Sequence, residues 1–175
     1  MTVNPTPDKG ERVYLSLGGN LGDPASSMAA ALRMLDADAQ ITVITVSSLY
    51  RTPPWGKLDQ PDFLNAVAVL STSLSPHDLL DKCLDAERTL KRVRQERWGP
   101  RLIDIDVLVF GDRVVNERGL EVPHPRMLDR AFVLVPLNEV APDLFVRGLA
   151  VSERLVEIDH AGIEKLPSGR DWWKA

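Results

Sequence analysis

The chain has 175 residues, 44% of them apolar and 26% charged, which is one domain's length with enough apolar side chains for a core and too many for a disordered state. Its 11 Gly and 13 Pro follow no period, so collagen-like and low-complexity classes are excluded, and a single Cys rules out an internal disulfide or a CxxC zinc site. The net charge of −4, the lack of any stretch near the ~20 apolar residues that span a bilayer, and an N-terminus with no apolar run of a signal peptide lead to the expectation of a cytoplasmic protein with no membrane contact.

Residues 1–12 read as a flexible arm. VYLSL at 13–17 alternates and is β-prone, and Gly18 to Gly22 read as a turn. Asp23-Pro24 starts a helix through about Ala37, because Asp caps free N–H groups and Pro fits a first turn. Met28, Ala31, Leu32 and Leu35 lie on one face of it. ITVITVSSLY at 41–50 is a β-branched strand, 51–62 a loop stiffened by Pro53 and Pro54, and 63–73 another strand. Ser75-Pro76 opens a helix to about Arg92, with Leu79, Cys83, Ala86 and Leu90 as its apolar stripe. Cys83 reads as core. A strand over 102–110 follows a loop, Gly111-Asp112 turns into a short strand at Val114-Val115, VPHPR is extended, and 127–140 read as helix. The order βαββαβ predicts an α+β fold, a ferredoxin-like sandwich of one antiparallel sheet with helices on one face, plus C-terminal additions. One domain over 13–175 is expected, with 146–175 its variable C-terminal part.

Charge is unevenly distributed. Residues 87–101 hold six basic side chains (Arg88, Lys91, Arg92, Arg94, Arg97, Arg101) against Glu87 and Glu96. Such a cluster repels itself unless an anion is bound, and guanidinium forks match phosphate oxygens. The plain alternative is a solvated helix face partly compensated by pairs such as Glu87 with Lys91. Directly afterwards, RLIDIDVL places Ile103, Ile105, Val107 and Val109 on one side of a strand and Asp104 and Asp106 together on the other. Asp is depleted in strands, and two carboxylates side by side repel. A hard divalent cation relieves that repulsion, and Mg²⁺ takes one or two carboxylates with phosphate oxygens and water. Two solvent-facing acids of no special role are the alternative. Carboxylates and arginines in this order are the inventory of phosphoryl transfer. No GxxxxGK[ST] occurs, and Gly18-Gly19-Asn20-Leu21-Gly22 is not GxGxxG.

GGNLGD after the first strand, SSLYRTPPW, QPDFLNA, and RVRQERWGPRLIDIDVLVF followed by VPHPRM resemble the 6-hydroxymethyl-7,8-dihydropterin pyrophosphokinase family of folate biosynthesis, over about residues 13–145. The resemblance implies the same βαββαβ sandwich. It also implies transfer of a pyrophosphoryl group from ATP to the pterin hydroxymethyl group, releasing AMP. Two Mg²⁺ would be bound through Asp104 and Asp106. Arg92 and Arg101 match the triphosphate-handling arginines and join the two aspartates as catalytic residues. Arg94, Arg97 and Trp98 match a mobile loop that closes over the nucleotide and the pterin. His124 and Arg130 match further ATP contacts, and Val107 would lie beside the adenine through its backbone. For the pterin, Thr52, Pro53, Pro54 and Trp55 form one wall, Asn65 hydrogen-bonds the heterocycle, and Phe63 and Phe132 stack on the ring. Glu87 matches a helix carboxylate that supports the site. A monomer that binds no nucleic acid is expected.

Taken singly, these residues have plainer readings. Asn65 could satisfy buried backbone, Phe63 and Phe132 could be core aromatics, His124 a loop residue, and Gly18 to Gly22 only a tight turn. At the level of function, a nucleic-acid module, an NAD-dependent enzyme and a non-enzymatic metal-binding domain are the rivals. The first lacks an aromatic run on a strand and the second the glycine spacing.

Overall fold

The structure, a computed structural model, describes residues 10–54, 58–92 and 102–174, without the Arg92 side chain. Strand β1 (Glu11–Gly19) starts earlier than VYLSL indicates. Glu11 and Arg12, expected in the arm, are held from both sides. Glu11 pairs with Thr72 and its carboxylate accepts Arg113 Nε at 2.8 Å, while the Gly111 amide donates to the Arg12 carbonyl at 2.7 Å. Helix α1 (Pro24–Asp36) is capped as expected, with the Ser26 amide donating to Asp23 Oδ1 at 3.1 Å. Met28, Ala31, Leu32 and Leu35 are buried.

Strands β2 (Ile41–Val46) and β3 (Tyr50–Thr52) lie along the two halves of β4 (Phe63–Thr72). The single strand expected over 41–50 is therefore broken. Ser47 Oγ accepts the Val67 amide at 2.9 Å and the Ser48 amide donates to the Glu139 side chain, so 47–49 leave the ladder. Helix α2 (Pro76–Arg92) begins with Ser75 Oγ accepting the Asp78 amide at 3.2 Å. Leu79, Cys83 and Ala86 are buried beneath it, and burial pushes the Cys83 thiol up to about 12, which fits its reading as core. Strand β5 (Asp104–Phe110) pairs with β1 on the side away from β4. The sheet thus runs from β2 and β3 through β4 and β1 to β5, antiparallel at every pairing.

A hairpin of β6 (Val115–Glu117) and β7 (Leu120–Val122) leads to a 3-10 turn (Met127–Asp129) and helix α3 (Ala131–Val140). The continuous helix expected over 127–140 is interrupted at Arg130, which is extended at φ −112° and ψ 103°. Its carbonyl accepts the amides of Val133 and Leu134, both at 3.0 Å, and so starts α3. A second hairpin, β8 (Phe145–Val146) with β9 (Leu149–Ala150), precedes α4 (Val151–Glu157). Strand β10 (Glu164–Lys165) returns to pair with β3 and extends the main sheet.

Helices cover both faces of this sheet, not one. Leu15 and Leu17 of β1 belong to the core with α1 and α2, whereas Tyr14, Val67, Val69 and Leu108 pack with Val133, Leu134, Leu137 and Val151 of α3 and α4. The central strands are accordingly apolar on both sides, which an alternation pattern alone under-reads. A second correction concerns Val109. Leu15 faces Val107 but Tyr14 faces Val109, so β5 carries a bulge at Leu108. Ile103, Ile105 and Val107 stay on the α1/α2 side as expected, and Val109 is moved to the α3 side. Among the described residues, no helix is long and apolar enough to cross a membrane.

Candidate active site

Residues directly opposite one another in an antiparallel ladder share a face. The register therefore builds a row across four strands, Tyr50, Asn65, Gly18 and Asp104, and beside it a second row, Val67, Ser16 and Asp106. Both lie on the α3 face. Tyr50 and Val67 run beneath α3, and the remaining members form the floor of a cleft of about 700 Å³. Thr52, Pro53 and Phe63 line the β3 side of the cleft, while Arg126, Asp129, Arg130 and Phe132 line the opposite side from the segment that enters α3.

Each floor position follows from local chemistry. Asn65 is buried and its Nδ2 donates to Thr52 Oγ1 at 3.0 Å, leaving the amide oxygen to face its neighbour Gly18. A Cβ on Gly18 would meet Asn65 Oδ1 at 2.7 Å, so the glycine is what lets this amide lie across the sheet. Asp104 is half-buried and Asp106 exposed, at the end of β5 where the α3 face is not covered. The Arg130 guanidinium sits 5.7 Å from the Phe132 ring centroid, which orders cation and aromatic together on the wall. From α4, Arg154 donates to the Leu128 carbonyl at 2.7 Å and to Asp129 Oδ1 at 3.2 Å, holding the turn that presents Arg130.

The matching family model, 7,8-dihydro-6-hydroxymethylpterin-pyrophosphokinase, covers residues 14–142. The chain belongs to this family. It is 50% identical over 155 residues to the 2-amino-4-hydroxy-6-hydroxymethyldihydropteridine pyrophosphokinase of Methylorubrum extorquens, covering 89% of this chain and 98% of that one. Its identity to the enzyme of the same name from Pseudomonas aeruginosa is 44%, over 90% of this chain and 98% of that one. The wild-type HPPK-DHPS of Plasmodium falciparum superposes with a TM-score of 0.69 at 16% identity, over 85% of this chain and 45% of that one, and supports the fold alone. This chain spans under half the length of that structure and nearly the whole length of the two bacterial pyrophosphokinases.

Of the residues that the pyrophosphokinase resemblance singles out, Thr52, Pro53, Phe63, Asn65, Asp104, Asp106, Arg130 and Phe132 come together in the one cleft. Pro54 is described but does not line it. Val107 turns its side chain into the α1/α2 core, with its backbone paired to Leu15. His124 stands beside the cleft, its amide donating to the Leu108 carbonyl at 2.7 Å and its Nδ1 accepting the Arg126 amide at 3.1 Å. Burial lowers the pKa of its imidazole; the nearby Asp106 pulls upward, and Arg130, Arg126 and Arg147 push it further down. Trp55, Arg94, Arg97, Trp98 and Arg101 lie outside the described residues, as does the side chain of Arg92.

Glu87 reaches from α2 to accept the Ile105 amide at 2.7 Å, between the two aspartates. Burial raises its pKa, the Ile105 amide and Lys91 pull it down, and Asp104 and Asp106 raise it again. Ser16, Arg126 and Asp129 line the cleft without having been singled out. Ser16 shares a row with Asp106, but only the pairing of β1 with β5 reveals that. Gly18, open between turn and ligand contact in sequence, is part of the cleft floor.

Proposed function

We propose that the chain transfers the pyrophosphoryl group of ATP to the hydroxymethyl group of 6-hydroxymethyl-7,8-dihydropterin, releasing AMP, in keeping with its membership of a family whose relatives are named as hydroxymethyldihydropteridine pyrophosphokinases. The observation that carries this reading is the single row in which Asn65, Gly18 and Asp104 stand side by side. It sets a heterocycle-reading amide next to the start of a carboxylate pair. The pterin lies over Gly18, with its edge on the Asn65 amide and its ring between Phe63 and Phe132. Its hydroxymethyl group then points along the row toward Asp104 and Asp106.

The hydroxyl oxygen attacks the β-phosphorus, the bond from that phosphorus to the oxygen bridging the α-phosphate breaks, AMP leaves with that bond's electron pair, and the hydroxyl proton is released to water. The donor set fits Mg²⁺: two carboxylates on one strand face at an open edge, joined among the described residues by no third His, Cys, Asp or Glu into a closed cage. Two Mg²⁺ ions held by Asp104 and Asp106 would neutralise and orient the polyphosphate oxygens. Arg130 and Arg126 face the same space and hold phosphate oxygens from the other wall. Arg92, Arg94, Trp98 and Arg101 complete the triphosphate grip by the family match. Closure of the loop that carries Arg94 and Trp98 would exclude water. His124, whose imidazole pKa is lowered by burial in the unliganded chain, contributes a hydrogen bond. Val107 contributes backbone only.

The strand order around β1 supports a ferredoxin-like βαββαβ core with additions after it. We read the chain as a monomeric cytoplasmic enzyme, in keeping with its one buried thiol. The decisive measurement is AMP release from ATP and Mg²⁺ with and without the pterin. Asp104→Ala and Asp106→Ala should each lower kcat at least ~10²-fold. Near-normal AMP production by either variant refutes the carboxylate assignment.

A further inference from the structure

Away from the floor of the cleft, one carboxylate gathers an unusual number of partners. Glu139, on the last turn of α3, is largely enclosed, with 13% of its side chain exposed. Both of its oxygens accept the Ser48 amide at 3.1 Å, Oε2 also accepts the Ser48 hydroxyl at 3.2 Å, and Oε1 accepts the Tyr50 phenol at 2.7 Å. Arg170 Nε at 3.6 Å and Lys165 Nζ at 3.9 Å balance its charge from the C-terminal segment. That segment is itself fastened to the same stretch of chain. Lys165 pairs with Tyr50, the Leu166 amide donates to the Leu49 carbonyl at 2.8 Å, and the Leu49 amide donates to Ser168 Oγ at 3.1 Å.

The two ends of this network are the two walls of the cleft. Phe132 precedes Glu139 by seven residues, two helical turns, so both point to one side of α3, toward the sheet. Tyr50 pairs with Asn65, and Thr52, two residues on and on the same face, accepts the Asn65 amide. A shift of α3 relative to β3 therefore changes the gap between Phe132 and the Thr52, Pro53 and Phe63 side. Resting on the function proposed above, we propose that Glu139 is a positioning residue for the pterin: it sets the gap into which the ring slides, with Lys165 and Arg170 holding its charge in place.

Burial, aided by Glu139, raises the pKa of the Tyr50 phenol, so it stays a donor at any working pH. The β5 edge, where the carboxylate pair sits, takes no part in the network. Pterin binding, not nucleotide binding, is what depends on Glu139.

The test is steady-state kinetics of the full chain with ATP, Mg²⁺ and 6-hydroxymethyl-7,8-dihydropterin. Glu139→Ala should raise the pterin KM about tenfold while the ATP KM moves less than about twofold. Glu139→Gln, which keeps an acceptor for Ser48 and Tyr50 but no charge, should recover most of that loss. Tyr50→Phe, which deletes one donor, should raise the pterin KM about threefold. If Glu139→Ala does not fold, the other two variants decide by the same readout. Leu32→Ala, in the core on the opposite face, controls for instability alone and should leave the KM ratio at its wild-type value. An unmoved pterin KM in the Glu139 and Tyr50 variants, or a parallel rise of both KM values, overturns the role of Glu139 while leaving the function intact. Absence of pterin-dependent AMP from the wild type overturns both.

Discussion

At the scale of single residues, the cleft depends on one missing side chain. Because a Cβ on Gly18 would come within 2.7 Å of Asn65 Oδ1, Gly18→Ala must rotate the Asn65 amide or part β1 from β4. The first is cheaper, and it breaks the bond from Asn65 Nδ2 to Thr52 Oγ1. We expect a pterin KM raised roughly tenfold, the equivalent of one lost hydrogen bond of about 1.4 kcal/mol, with an ATP KM near wild type. A Gly18→Ala enzyme with unaltered pterin KM would show that Asn65 does not read the substrate. A second test reads the electrostatics directly. Burial holds the His124 pKa below the ordinary 6.5, and Asp106 is the charge that opposes the shift. In NMR titration of the chain without substrates, Asp106→Asn should move the His124 pKa further down and Arg130→Gln should move it up. The sign also fixes a stability trend. As pH falls below 6.5 the unfolded chain takes up the proton while folded His124 resists, so this residue's contribution is lost with acidification. Asp104, Asp106, Asn65 and Arg130 were legible because their motifs are linear in the chain. Ser16 was not, because nothing local distinguishes a serine opposite a carboxylate from any other strand serine.

Among the elements, α2 and β5 are joined by a carboxylate whose bond is to backbone rather than to a partner charge. Glu87 fixes the Ile105 amide, and Ile105 sits between the two aspartates, so the start of β5 is anchored from the α1/α2 side. Burial raises the Glu87 pKa above 4.5, meaning the folded chain holds this proton more tightly than the unfolded one. Its contribution to stability is complete below pH 4.5 and is lost as pH rises through the higher folded value. Glu87→Gln keeps the acceptor and removes the buried charge. The difference in Tm, variant minus wild type, should therefore be more positive at pH 7 than at pH 4, by thermal melts in matched buffers. A difference that shrinks toward neutrality would mean that the ion pair with Lys91, at 3.7 Å, outweighs desolvation. The elements themselves were legible from caps and periodicity: Asp23-Pro24 and Ser75-Pro76 start their helices where expected. What periodicity missed were its interruptions. The bulge at Leu108 is a matter of pairing register, and the break at 47–49 of hydrogen bonds to Val67 and Glu139, both distant in the chain.

On the scale of the whole molecule, the sheet is a shared wall between two cores. The site occupies the part of the α3 face that α3 and α4 leave open. The last residues, with little internal pattern, close the α1/α2 side of the sheet. Trp172 Nε1 donates to the Ser47 carbonyl at 2.8 Å, at the break between β2 and β3. Trp173 enters the α1/α2 core, only 6% exposed, and its carbonyl accepts Arg33 Nη1 at 2.9 Å. Their fit depends on a pocket made by residues over a hundred positions earlier, which no local reading supplies. Truncating Trp173 removes a large buried ring, which costs about 3–5 kcal/mol, much of the margin of roughly 5–15 kcal/mol that holds a domain folded. For a chain of 175 residues that loss should lower Tm by roughly 10 °C. Trp172→Phe keeps most of the apolar area and gives up one hydrogen bond, so about 1 kcal/mol is expected. Because Trp173 lies across the sheet from the cleft, Trp173→Ala should leave both KM values near wild type at temperatures where the variant stays folded. Denaturant unfolding and kinetics on the same preparation would separate the two effects. A Trp173→Ala chain of wild-type stability would show that the C-terminal segment is only draped over the core, and the anchoring of β3 by β10 would then have to rest on its own few hydrogen bonds.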